Sequence, residues 1–451
     1  MHRAEPLLPV PGKSLIEALL QSAALEHAVD SIKLIETHIS WLILAGPFAY
    51  KIKKPLNLGF LDFTTLERRK FFCEEEIRLN RLSAPDIYID VVAITDESNP
   101  RFDGDGEPIE YAVRMHRFDE DLRLDRQLDC GQLTLDDMRE LGQAIASLHA
   151  SCRILGTDER DHQLAMTRGF IWENFEWLDG VIDAGLQSFL HDWTQAELDR
   201  TNELLGRRFD TGFVRECHGD LHLANLVRMP SGIRTFDCIE FNADLRNSDV
   251  VCDIAFLVMD LVARERHDLA ACCLNRYLER SGDYAGMALL DLYFVYRCLV
   301  RAKVAAISRQ ESADPGEQQR LLEDVLRYCT MAQRQATKAQ PVLIVMHGLS
   351  GSGKTWISDA LMAAMPAIRI RSDIERKRMF DLAETAASGS GWGTGIYSDA
   401  ANDELYGNMC DMAETVLKAR HSVILDAAFL AKAERHRAIL AAQRVGCPAV
   451  L

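Results

Sequence analysis

Apolar and polar positions change their period several times along the chain, and each change predicts an element. Between residues 14 and 30, Leu15, Leu19, Leu20 and Ala23 recur at helical spacing. Two strand-like runs follow, HISWLIL and FAYKIKK, joined by the hairpin signal AGP. LDFTTLERRKFFCEEEIRLNRLSAP predicts a long helix with Thr64 or Thr65 as N-cap and Pro85 as terminator. IYIDVVAIT and IEYAVRMHRF return to strand texture across the turn-rich DESNPRFDGDGEP, so residues 30–118 predict a small mixed sheet carrying one helix.

From about 120 to 330 the pattern is mainly helical. TLDDMRELGQAIASLHA is amphipathic, while DVVCDIAFLVMDLVARER and LLDLYFVYRCLVRAKVAAI are apolar enough for core helices. The exception is 214–241, where short strands surround HGDLHLANL. ESADPGEQQ is a polar break, and LLEDVLRYCTMAQRQATKAQ is a helix running into a linker. At Pro341 the texture changes to PVLIVMHGLSGSGKT, a buried strand ending in a glycine-rich turn.

Composition narrows the function classes. The length of 451 residues allows about three domain-sized units, and 48% hydrophobic with 26% charged residues is ordinary for a globular chain. A net charge of -17 argues against coating nucleic acid and leaves room for a local phosphate pocket. The 12 cysteines are scattered without a C-x-x-C pair. With no basic-then-apolar N-terminal signal and no run of membrane-spanning length, they read as reduced thiols of a cytoplasmic protein.

The first chemical constellation is His218-x-Asp220-x4-Asn225, after the strand-like FVREC and before LVRMPSGIRTFD, a hairpin ending in Asp237. Phosphoryl transfer needs a carboxylate to accept the proton of the attacking hydroxyl and oxygen ligands to hold magnesium on the phosphates. Asp220 suits the first role, and Asn225 and Asp237 the second, since oxygen donors match hard Mg²⁺. His218 would hold the loop. The competing readings are loop capping by Asp220 and Asn225 and a zinc site from His218, Asp220 and His222.

HGDLHLANL followed by IRTFDCIEFN resembles the catalytic loop and metal-binding segment of the aminoglycoside phosphotransferase and choline kinase-like family, which shares the bilobal protein-kinase fold. The resemblance spans roughly residues 30–330, with LGQAIASLH and NSDVVCDIAFL fitting helices that flank the site. It implies a strand lysine for the ATP phosphates and a helix glutamate to hold it. AYKIKKP offers Lys53, with Lys51 as runner-up on the same strand face; FCEEEIRLN offers Glu75 or Glu76. EYAVRMHRF would be the hinge, placing adenine near Met115 and His116. Asp249 and Asp253 would be structural. One departure is the absence of a G-x-G-x-x-G loop from the first hairpin, which leaves Thr37, His38, Ser40 or backbone amides to cover phosphates.

The second constellation is Gly348-x4-Gly353-Lys354-Thr355, between the strand VLIVM and the helix WISDALMAAM, the context of a phosphate-binding P-loop (Walker A). Gly348, Gly351, Ser352 and Gly353 would turn amides toward phosphate, Lys354 would contact the β and γ phosphates, and Thr355 would bind magnesium. With IRIRSDIERKRMF this half resembles P-loop kinases such as gluconate kinase, polynucleotide kinase and the zeta-toxin group. The resemblance implies that Asp373 positions or deprotonates the acceptor hydroxyl, that Arg371 and Arg376 hold an anionic substrate, and that Asp426, ending HSVILD, is the Walker B acid. In GSGWGTGIYSD, Trp392 and Tyr397 are candidates to stack on a ligand. Such kinases continue past a fourth strand into an arginine-bearing lid, whereas this sequence stops at CPAVL.

The expected fold is therefore an α+β bilobal protein-kinase-like domain followed by an α/β P-loop NTPase domain whose parallel sheet is incomplete at its C-terminus. The expected boundaries are 1–118 for an N-terminal helix and small lobe, 119–330 for a helical large lobe, 331–340 for a linker and 341–451 for the P-loop domain. The expected function is ATP- and Mg²⁺-dependent phosphorylation of a small-molecule hydroxyl, with nucleic acid disfavoured as partner and no membrane association. The rivals are a nucleotide-gated regulator with one pseudokinase half and a nucleic-acid end kinase.

Overall fold

The computed structural model describes residues 12–21, 24–25, 29, 31–349, 351–386 and 395–451. In chain order its elements begin with α1 (Gly12–Leu19), β1 (Ile32–Glu36), β2 (Ser40–Ala45), β3 (Phe48–Lys53), α2 (Leu66–Asn80), β4 (Tyr88–Thr95), β5 (Arg101–Phe102), β6 (Pro108–His116) and α3 (Leu124–Asp129). Then come α4 (Leu135–Ser151), α5 (Arg160–Glu176), α6 (Ala184–Asp210), β7 (Val214–Glu216), β8 (Leu226–Met229), β9 (Gly232–Thr235), α7 (Ala243–Arg246) and β10 (Asn247–Asp249). The helices α8 (Val250–Ala263), α9 (His267–Ser281), α10 (Met287–Glu311) and α11 (Pro315–Ala336) follow. The chain closes with β11 (Leu343–Val345), α12 (Lys354–Ala364), β12 (Ala367–Arg371), α13 (Ser372–Met379), α14 (Asp399–Lys418), β13 (Ser422–Asp426), α15 (Lys432–Val445) and β14 (Ala449–Val450).

Two compact units emerge: residues up to 132 with His218–Asn247, and Leu133–Cys217 with Ser248–Leu451. The first unit holds a six-stranded sheet in the order β1-β2-β3-β6-β4-β5. Every pair is antiparallel, where a mixed sheet was expected. The reason lies in the crossover: α2 connects β3 to β4, but β4 pairs with β6, so no parallel neighbours form. Alternation divides β3 between two faces. Tyr50 and Ile52 join a core with Ile16 and Leu19 of α1, Trp41, Ile43, Val92 and Ala112. On the other face, Cys73 and Ile77 of α2 pack on Tyr88, Val113 and Val227. Thr65 caps α2 by accepting from Arg68 N–H at 3.3 Å.

The second unit is a helical body continuous with a P-loop module. α8 is buried along nearly its whole length, and Asp249 caps it through Val251 N–H at 2.9 Å while pairing with buried Arg208. Asp253 meets His149 at 3.2 Å. The module has a parallel sheet in the order β12-β13-β11-β14. The stretch expected as a linker departs from that reading: residues through Ala336 belong to α11. Lys338 and Gln340 are held by Asp291 at 2.6 Å and by the Gly446 carbonyl at 2.6 Å. Among the described residues no helix is long and apolar enough to cross a membrane.

Candidate functional site

In the first unit, β3 and α2 bring opposite charges together away from water. Lys51 Nζ donates to Glu76 Oε1 at 2.8 Å and to Asp237 Oδ1 at 2.6 Å. Lys53 Nζ donates to the other Glu76 oxygen at 2.8 Å and also bonds Glu240. Two lysines thus face three carboxylates. Burial alone would lower the Lys51 and Lys53 ammonium groups, but the surrounding carboxylates outweigh it and hold both above their ordinary value. Burial likewise opposes ionisation of Glu76, yet Lys51 and Lys53 hold it down at about 2. Glu240 moves the other way, because burial and the nearby Glu76 outweigh Lys53.

These contacts correct two assignments. Glu75, offered above together with Glu76 as lysine partner, instead binds Arg78 at 2.8 Å and Arg246 at 3.4 Å; Glu76 faces the sheet. Lys53, chosen as the phosphate lysine, is sealed in with its side chain 1% exposed, whereas Lys51 is 13% exposed and touches Asp237. Lys51 is therefore the lysine that faces the candidate metal ligand.

The loop from His218 is built on its own backbone. Gly219 has φ +82°, and a Cβ there would lie 3.1 Å from Arg246 Cα, so a side chain is strained by conformation and crowded by the Arg246 backbone. His218 Nδ1 accepts the Asp220 N–H at 3.3 Å, and Nε2 donates to the Phe236 carbonyl at 2.9 Å, which fixes the neutral tautomer. With both ring nitrogens so used, His218 does not join Asp220 and His222 as a zinc ligand. His222 Nδ1 caps the turn at Leu223–Asn225 through Ala224 N–H, leaving its Nε2 3.3 Å from Asp220 Oδ2. Asn225 Nδ2 donates to the same Asp220 oxygen at 2.9 Å and to the Asp220 carbonyl at 3.0 Å. Two groups therefore orient the Asp220 carboxylate, and Asn225 Oδ1 remains as an oxygen donor.

Asp237 ends the hairpin in the left-handed region, φ +61°. That conformation is uncommon for a residue with a side chain and recurs at functional sites. Its N–H donates to the Tyr88 hydroxyl at 3.0 Å. Asn80 ties α2 to this segment, accepting the Cys238 N–H at 2.9 Å and donating to the Glu76 carbonyl at 2.8 Å. Tyr88, Asn80 and Glu240 escaped the sequence reading; the one signal was Glu240, an acid in the otherwise apolar CIEF. Met115 lies in β6 in register with Ala49 and Tyr88, half-buried. Thr37 and Ser40 close the β1–β2 turn on each other, at 2.8 Å between hydroxyls.

In the second unit, Gly351 and Gly353 have φ +80° and +86°, and Gly353 precedes α12. Lys354 Nζ donates to the carbonyls of Gly348 and Leu349 at 2.9 and 2.7 Å. Ser352 and Thr355 are exposed at the turn. Strand register sets Arg371 opposite Asp426, so the P-loop, Asp373 and Asp426 all lie at the carboxyl edge of the parallel sheet, the usual ligand edge of open α/β sheets. Asp426 is buried and accepts from Ser358 at 3.1 Å. Asp373 is 64% exposed in the first turn of α13 and accepts from Arg371 at 3.0 Å. Arg376 binds the Ile396 carbonyl at 2.6 Å and lies over the Tyr397 ring. Trp392 lies outside the described residues.

Comparison with known proteins adds the following. The family described as AAA domain matches residues 343–451. The chain is 28% identical over 395 residues to an uncharacterized protein of Mycobacterium tuberculosis and to one of Mycobacterium bovis, covering 87% of this chain and 77% of each relative. Among solved structures it is similar to a choline/ethanolamine kinase family protein from Mesorhizobium loti (11% identity, TM-score 0.45, 72% of this chain and 95% of that one). It is also similar to an amicoumacin kinase (12%, TM-score 0.42, 71% and 93%). A further similar structure is an aminoglycoside phosphotransferase from Alicyclobacillus acidocaldarius (14%, TM-score 0.38, 74% and 98%). Along the chain, a lysine–glutamate pair and an H-x-D-x4-N loop thus precede a P-loop segment with a parallel sheet, the part that the AAA domain family matches.

Proposed function

We propose that the first unit transfers the γ-phosphate of ATP to a hydroxyl of a small molecule. The observation that carries this reading is the convergence of Lys51, Glu76 and Asp237 within one hydrogen-bonded group. Asp220, steered by Asn225 and His222, accepts the proton of the attacking hydroxyl. Lys51, held by Glu76, contacts the phosphates, and Met115 borders the adenine. Asn225 and Asp237 supply the oxygen donors that would hold Mg²⁺, a donor set that suits such a hard ion. When bound, Mg²⁺ neutralises charge on the transferring phosphate. The P-loop module of the second unit is a further ATP-binding kinase module. There Gly348, Gly351, Ser352, Gly353 and Lys354 cradle phosphate, Thr355 and Asp426 serve magnesium, and Asp373 serves the acceptor hydroxyl. The acidic chain, at -17, favours small-molecule acceptors over nucleic acid.

The test uses γ-labelled ATP with a metabolite extract in a Lys354→Ala background, so that the first unit acts alone. Asp220→Asn is expected to cut label transfer by roughly 10²–10⁴-fold while leaving ATP affinity intact. Undiminished transfer by that double variant would remove Asp220 from the chemistry.

A further inference from the structure

β12 is an edge strand of the parallel sheet, yet its outer edge is not open. Asn275 of α9 donates through Nδ2 to the Ala367 carbonyl at 2.9 Å and accepts the Arg369 N–H through Oδ1 at 2.6 Å. Residues two apart on a strand present these groups to one side, so the carboxamide stands where a neighbouring strand would pair. Two glutamate contacts reinforce the seam: Tyr284 with Glu375 at 3.1 Å, and Arg276 with Glu384 at 2.7 Å.

From this seam a polar chain runs inward to the P-loop. Arg369 donates to Glu279 of α9 at 3.1 Å, to Asp359 at 2.7 Å and to Ser358 Oγ at 3.1 Å. Ser358 is fully buried and has two acceptors, the Thr355 carbonyl at 2.9 Å and Asp426 Oδ2 at 3.1 Å. A hydroxyl has one proton, so only one of these bonds forms at a time. Both acceptors belong to the residues proposed to serve magnesium. Arg369 Nε is buried and lacks a hydrogen-bond partner.

We propose that Glu279 and Arg369 couple cation–nucleotide binding at the P-loop to the docking of β12 on α9, with Ser358 as the two-position element. This rests on the P-loop reading above. With its proton on Thr355 O, Ser358 leaves Asp426 both carboxylate oxygens for a cation; with the proton on Asp426, one oxygen is partly satisfied. Glu279 compensates the Arg369 guanidinium close to that carboxylate. Replacing Glu279 by glutamine removes the buried one of the two carboxylates, Glu279 and Asp359, that balance Arg369, which leaves more positive charge near the cation site and opposes Mg²⁺ and not the metal-free nucleotide. Arg369 and Glu279 are positioning residues and touch no substrate. Coupling is reciprocal, so occupancy of the P-loop must also tighten α9.

The experiment measures AMP-PNP affinity by calorimetry with Mg²⁺ and with EDTA, taking the component lost in Lys354→Ala. In wild type, Mg²⁺ strengthens that component. Glu279→Gln is expected to shrink the ratio of the two affinities by about fivefold or more. A role in docking alone would change both affinities equally and leave the ratio unchanged, which would overturn the proposal. Should Glu279→Gln fail to fold, hydrogen exchange on the wild-type chain decides. Mg²⁺ with AMP-PNP is expected to slow exchange in α9, and AMP-PNP in EDTA is not; identical α9 exchange in both would overturn it. A wild-type chain with no Lys354-dependent binding would instead sink the P-loop reading itself.

Discussion

Lys51 and Lys53 differ by two positions on one strand, and the account gives them different work. Lys53 is enclosed between Glu76 and Glu240. Lys53→Met leaves buried Glu240 without its lysine, while Glu76 keeps Lys51, and should cost about 3–5 kcal/mol of stability, read by denaturant unfolding. Lys51→Ala removes the more exposed partner of Asp237. It should leave the fold largely intact but reduce phosphate transfer by at least roughly 10²-fold, as loss of a preorganised charge contact does. The reverse split would reassign the phosphate lysine to Lys53. Gly219→Ala should destabilise the loop by about 2 kcal/mol or more, since a left-handed φ and the Arg246 backbone both resist it. At this scale the sequence was partly legible. Period two placed both lysines on one face, but the strand alone does not say which lies beside Asp237. Glu74, Glu75 and Glu76 step around the helix from exposed to half-buried to buried, and that phase is set by how α2 lies on the sheet.

Elements with strong local signals matched their reading. Thr65 caps α2, β2 and β3 form the AGP hairpin, and the strand–glycine turn–helix order at 343–364 yields the P-loop. β1 was missed because IKLIE is mostly exposed or half-buried and does not alternate. The seam between the P-loop module and the helical body was not legible either, since Asn275, Glu279 and Asp291 look like ordinary polar positions on helices. One element contact gives a pH prediction. His421, between α14 and β13, lies 3.5 Å from Asp291 of α10 and 3.3 Å from Lys338. Burial pushes its imidazole down to about 4, with Asp291 opposing and Lys338 and Arg420 assisting. The folded state therefore prefers neutral His421. This contribution is complete above the ordinary histidine value near 6.5 and is lost as pH falls from there toward 4. Between those limits the wild type should lose on the order of 3 kcal/mol more than His421→Gln. Equal losses in thermal melts of the two proteins would contradict it.

At the scale of the whole chain, the change of texture at Pro341 marks where the P-loop segment begins. What it did not announce is that the P-loop module and the helical body cluster as one unit. All 12 cysteines are free, and Cys130 alone is exposed. A thiol titration should accordingly find one fast-reacting group in the native protein and the remainder only after unfolding; several fast thiols would mean a looser body than described. The central claim is that one chain carries two separate nucleotide sites, one built on Lys51 and Glu76 and one on Lys354. Its most direct test is the stoichiometry of Mg·ATP binding by calorimetry for the wild type, Lys51→Ala and Lys354→Ala. The account predicts two sites in the wild type, with each variant losing a different one and the double variant losing both. A single wild-type site that survives Lys51→Ala and vanishes in Lys354→Ala would contradict it, leaving the first unit without the nucleotide on which its proposed chemistry depends.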